Sequence, residues 1–191
     1  MNKLLKKNLQ QTISIKEKIL KNDSFHNNFD EIIKKILFKL NLGGKIFTAG
    51  NGGSAADSQH LSAELISKFK KNRDPIPCIA LTTDTSIITS ISNDFSYKNI
   101  FVRQIKGLYS KNDILIAFST SGNSKNIIEL LKFTKKNKIF SILFTGSKNS
   151  ESLKYCDFSI RVPSNVTPLI QECHMTIYHT LCEFLELSYK K

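Results

Sequence analysis

From Lys45 onward the chain alternates short apolar runs with longer amphipathic stretches, and few folds accommodate that grammar. The runs are KIFTA (45–49), IPCIAL (76–81), DILIAF (113–118), IFSILF (139–144) and FSIRV (158–162). They lack the in–out alternation of a strand with one wet face, so both faces must be covered. Helical patterns at about 54–70, 86–107, 124–136 and 168–187 supply the cover. Together they predict an α/β domain built on a parallel sheet with helices on both sides.

Ahead of this lies a helical N-terminal extension, residues 1–42. Leu4, Leu5, Leu9, Ile13, Ile15, Ile19 and Leu20 recur at helical spacing, as do Phe29, Ile32, Ile33, Ile36, Leu37 and Leu40. NDS at 22–24 separates two helices, and Gly43–Gly44 close the second. The first helix is apolar on more than one side, which suits packing against another subunit. With 191 residues and no linker or repeat, the expectation is a single domain, 1–191.

Composition narrows the partners. No apolar run approaches the roughly 18 residues of a membrane span, and the N-terminus lacks a signal-peptide core, so a cytoplasmic protein is expected. Cys78, Cys156, Cys173 and Cys182 are scattered without a CxxC pair, as reduced core residues would be, which disfavours a thiolate zinc site. The net charge of +12 comes from dispersed lysines, the densest run being KFKKNR at 68–73. That pattern reads as solvated faces, and neither nucleic acid nor membrane is expected as a partner.

In parallel sheets, ligands sit beyond the carboxyl ends of the strands. Two loops there stand out. STSGNS places Ser119, Thr120, Ser121 and Ser124 around a glycine at the start of a helix. A helix N-terminus offers free N–H groups, and hydroxyls add rotatable donors, so the segment suits a phosphate. GNGGSAA at 50–56 is flexible backbone ahead of another helix. Gly50, Gly52 and Ala55 also fit a loose dinucleotide fingerprint with Asp84 as the ribose acid. Asp84 lies about thirty residues on rather than about twenty, and that reading leaves STSGNS without a role.

His60 and Glu64 are four apart on the helix after the glycines, hence on one face. Gln171 and His179, eight apart on the last helix, share roughly one face, and His174 could lean toward either. If the two helices meet, His60, Glu64, Gln171 and His179 make an N/O donor set suited to zinc.

GNGGSAADSQHLSAEL, SNDFSYKNIF, FSTSGNS and RVPSNVTPLIQECHMTIYH, in this order and spacing, resemble the sugar isomerase (SIS) family across residues 1 to 187. The resemblance is narrowest to members that isomerise seven-carbon sugar phosphates. It implies a three-layer α/β/α fold with a five-stranded parallel sheet, assembled as a homotetramer with sites between subunits. It further implies an aldose–ketose isomerase converting sedoheptulose 7-phosphate to D-glycero-D-manno-heptose 7-phosphate through an enediol, for lipopolysaccharide or capsule synthesis. Carried over residue by residue, the phosphate site is Ser54, Ser119, Thr120, Ser121 and Ser124. Other substrate contacts are Asn51, Gly52, Gly53, Asn93, Asp94 and Gln171, with Glu64 also touching substrate. Glu64 and His179 form the acid–base pair, and one Zn2+ per subunit is held by His60, Glu64, Gln171 and His179. The resemblance also supplies a rival, a non-catalytic binding protein like the DnaA initiator-associating protein, which lacks the catalytic Glu and the last His.

Overall fold

The computed structural model describes residues 2–189; Met1, Lys190 and Lys191, at the ends of the expected 1–191 span, lie outside the described residues. The extension forms two helices, α1 (Asn2–Leu20) and α2 (Asp23–Asn41). They part at Asn22, whose side chain accepts a hydrogen bond from the Phe25 N–H and so caps α2. The five apolar runs become β1 (Ile46–Ala49), β2 (Cys78–Ala80), β3 (Ile114–Phe118), β4 (Phe140–Thr145) and β5 (Phe158–Arg161). All pairings are parallel, in the order β2-β1-β3-β4-β5. This is the three-layer α/β/α arrangement.

The lack of alternation in the strands now has its cause. On β3, Ile114, Ile116 and Phe118 face one core, while Leu115 and Ala117 face the other. The first core is closed by α2, by α3 (Gly53–Ile66) and by α7 (Thr167–Ser188). The second is closed by α4 (Thr85–Asp94), α5 (Ile100–Leu108) and α6 (Lys125–Lys136). Every residue of β3 is buried, as a strand in the middle of such a sandwich must be. Cys78, Cys173 and Cys182 are buried and Cys156 is partly so, all as free thiols.

Two helical expectations need correction. The pattern at 86–107 is two helices joined by a 3-10 turn at Tyr97–Asn99, not one. The backbone is extended at Ser96, and the Asn99 side-chain amide donates to the Ser96 hydroxyl, which holds the break. The pattern expected to run to residue 70 stops at Ile66. Arg73 donates to the carbonyls of Glu64 and Leu65, taking the acceptors that a longer helix would use. The buried Glu186 carboxylate of α7 meanwhile accepts the N–H groups of Phe69, Lys70 and Lys71, each at 2.9 Å. The basic run is therefore a pinned loop with outward lysines.

Candidate active site

Strand order reverses between β1 and β3, and a crevice opens at the carboxyl end of a sheet where that happens. The glycine loop after β1 and the serine loop after β3 flank it. Ser119 is buried, and its hydroxyl donates to that of Ser124 at 3.2 Å. Ser121 is exposed and accepts the Asn123 N–H at 3.2 Å. The turn passes through Gly122, whose positive φ of 65° and tight fit against the Ser150 hydroxyl leave no room for a side chain. Thr120 is half-buried between these residues. Ser54, in the first turn of α3, is buried beneath the glycine loop.

A residue not singled out in the sequence ties the two loops together. Asn126 of α6 is almost fully buried and exchanges side-chain amide hydrogen bonds with Asn51 in both directions. The Tyr97 hydroxyl donates to the same Asn51 oxygen at 3.0 Å. The available signal was a polar residue among Ile127, Ile128, Leu130 and Leu131 on a helix bound for the core. Asn93 and Asp94 lie exposed at the end of α4, bonded to each other at 2.9 Å. No hydrogen bond among the described residues joins them to the serine loop.

α3 and α7 lie side by side and run in the same direction. At one end the Gln171 amide rests on Gly53, so closely that a Cβ there would overlap it. About 10 Å further along α3, some two turns on, His60 and Glu64 meet His179. His60 Nε2 is 3.0 Å from Glu64 Oε1, and the His60 and His179 rings are 4.9 Å apart and nearly perpendicular. Phe69, carried by the pinned loop, packs on the other side of the His179 ring at 5.4 Å. Behind His60, the buried Tyr178 hydroxyl lies 3.1 Å from Nδ1 and 3.5 Å from an oxygen of buried Asp57.

The electrostatics follow from burial. Desolvation first, and the neighbouring His60 second, hold the His179 imidazole below its ordinary pKa, with Glu64 opposing. His179 Nε2 is buried without a hydrogen-bond partner among the described residues. Donor atoms of His60, Glu64 and His179 lie within 4.8 Å of one another, whereas ligand atoms around a tetrahedral zinc are about 3.3 Å apart. An unpartnered nitrogen, a second imidazole and a carboxylate grouped on one side are the donor types a divalent cation takes. The structure thus gathers three of the four expected ligands and seats Gln171 at the glycine loop.

His174 joins neither group. It is fully buried against Phe118 and Phe144, 3.4 Å from the Thr145 carbonyl, and burial pushes its pKa down to about 4. Asp84 caps α4 by accepting the Ile87 N–H at 2.8 Å, an ordinary helix-start role.

A parallel sheet with a serine loop at its switch point and an acid–base cluster along the adjoining helices defines the class. The chain belongs to the SIS domain family, whose family model matches residues 9–146. Within that family its relatives are phosphoheptose isomerases. The phosphoheptose isomerase of Clostridium acetobutylicum is 45% identical over 97% of this chain and 95% of its own length. The phosphoheptose isomerase structure from Francisella tularensis superimposes with a TM-score of 0.91 at 30% identity, covering 98% of this chain and all of that one. The one from Neisseria gonorrhoeae gives 0.88 at 32% identity, covering 95% and 96%.

Proposed function

We propose that this protein is an aldose–ketose isomerase that converts sedoheptulose 7-phosphate to D-glycero-D-manno-heptose 7-phosphate in bacterial heptose synthesis for lipopolysaccharide or capsule. One observation carries the reading: Glu64 and His179 stand together in a chain 45% identical to a phosphoheptose isomerase along nearly its whole length. A purely binding member of the family would need neither residue, which argues against the non-catalytic alternative.

In this reading Ser54, Ser119, Thr120, Ser121 and Ser124 hold the phosphate, aided by the N-termini of α3 and α6. The backbone N–H groups of Gly52, Gly53 and Asn51 approach the sugar, and Asn93, Asp94 and Gln171 bind its hydroxyls. Anchoring the far end contributes orientation rather than chemistry. Glu64 takes the proton as the C1–H bond of the ketose breaks and returns it to C2, forming the aldose. His179, neutral because burial disfavours its charge, moves the accompanying proton from O1 to O2. His60, Glu64 and His179 would hold Zn2+, while Gln171, seated at Gly53, stays with the sugar. When bound, the ion supplies electrophilic stabilisation of negative charge on the sugar oxygens.

The assembly we propose is a homotetramer. Leu4, Leu5, Leu9, Ile13 and Leu20 of α1 are all more than half exposed, an apolar surface that a second copy would cover. Four free cysteines fit a reducing compartment, so we place the enzyme in the cytoplasm.

The test is incubation of purified protein with sedoheptulose 7-phosphate, with and without a chelator. Aldose formation that the chelator suppresses is the expected result. No turnover, together with capture of a replication initiator, would instead establish the binding role.

A further inference from the structure

Among the described residues the Tyr178 hydroxyl makes the one hydrogen bond to the far nitrogen of His60, and nothing in the proposed reaction uses it. Tyr178 is fully buried and its hydroxyl lies 3.1 Å from His60 Nδ1. On its other side is Asp57, also buried, with one oxygen at 3.5 Å and the second without a partner among the described residues. His60 Nε2 faces Glu64 Oε1 at 3.0 Å. A proton can occupy that gap, or a cation can, and the choice dictates the tautomer. With a proton on Nε2, Nδ1 must accept from the tyrosine. With Nε2 a ligand, Nδ1 carries the hydrogen and needs an acceptor.

We propose that Tyr178 and Asp57 form a buried supporting shell for His60 that secures it as an Nε2 metal ligand. The phenol oxygen accepts Nδ1–H, and the phenol hydrogen turns to the Asp57 carboxylate. A hydroxyl serves because it is donor and acceptor at once and can rotate. Tyr178 and Asp57 are positioning residues, since they act through His60 and neither belongs to the ligand set. Burial matters here, because Tyr178 and Asp57 are themselves enclosed, so the hydrogen-bond chain behind Nδ1 is fixed by packing. The inference rests on the zinc reading above and deepens it.

The experiment is competitive zinc titration of metal-stripped protein against a chromogenic chelator, for wild type, His179→Ala, Tyr178→Phe and Asp57→Asn. Wild type should bind one zinc per chain and His179→Ala should not. Tyr178→Phe should bind 10- to 100-fold more weakly, the range typical of lost supporting partners, and Asp57→Asn should fall between. In zinc-loaded wild type, nitrogen-15 NMR should show His60 protonated at Nδ1, with a slowly exchanging proton that exchanges rapidly in Tyr178→Phe. Equal affinity of Tyr178→Phe and wild type, while His179→Ala loses the metal, overturns the supporting shell and leaves the zinc reading standing. Absence of zinc binding by wild type overturns both. Should Tyr178→Phe fail to fold, the decision falls to Asp57→Asn and the wild-type spectrum. Unchanged affinity or a bare Nδ1 then overturns the proposal.

Discussion

Asn51 and Asn126 face each other as a closed amide pair, with hydrogen bonds of 2.9 and 2.8 Å running in opposite directions. One belongs to the loop after β1, the other to the helix that follows the serine loop. The pair therefore sets the spacing between the two loops proposed to bind phosphate and sugar. Asn126→Ala leaves the half-buried Asn51 amide N–H without its partner and its oxygen with Tyr97 alone, and stability should fall by about 1–3 kcal/mol. Steady-state kinetics should show KM for the sugar phosphate rising more than kcat falls. A variant with unaltered KM would detach the pair from substrate binding.

Glu64→Gln keeps the shape of the side chain and removes the base. We expect kcat to drop by about 10²- to 10⁴-fold, with sedoheptulose 7-phosphate still binding in a calorimeter. His179→Gln should behave alike. Full turnover in Glu64→Gln would assign the proton transfer elsewhere.

Glu186 holds the loop that carries Phe69. Burial opposes its ionisation, yet the N–H groups of Phe69, Lys70 and Lys71, with Arg73 nearby, bring its carboxyl below the ordinary range. Glu186→Ala strands three N–H groups and should lower stability by about 2–4 kcal/mol. Hydrogen exchange should quicken at 69–71 first, and activity should decline as Phe69 leaves the His179 ring. Unchanged exchange there would show that the loop is held by other means.

Acid stability should depend on His174. Burial lowers its pKa from 6.5 to about 4 in the folded protein, so between those values the unfolded chain binds a proton that the native one does not. Its contribution is intact above about 6.5 and disappears as pH falls toward 4, a loss of about 3 kcal/mol. Urea unfolding of wild type and His174→Leu at pH 4 to 7 should show the steeper decline in wild type. Parallel curves would assign the acid sensitivity to other groups.

Much of the fold was legible because burial on two faces leaves a mark in each strand separately. The five runs came through for that reason, and the break at Asn22 because a helix cap is a local polar signal. The kink at Ser96 did not, since an Asn–Ser contact three residues apart leaves no mark on the apolar period, nor did the early stop of α3, whose following loop is held by distant Glu186. At the site, the serine loop and the His60–Glu64 pair could be read from local spacing. Asn126 and Tyr178 could not, because a single polar residue in an apolar helix looks the same whether it meets solvent, backbone or a functional side chain.

Sequence alone determined which residues share a helix face and which loops lead out of the sheet, because both follow from the repeat of the backbone within a few residues. Tertiary structure decided that His179 meets His60 and Glu64, that Gln171 rests instead on Gly53, and that His174 turns inward to Phe118 and Phe144. Those outcomes hang on the relative register of α3 and α7. That register is set by how side chains from opposite ends of the chain interdigitate, a relation that no local stretch of sequence contains.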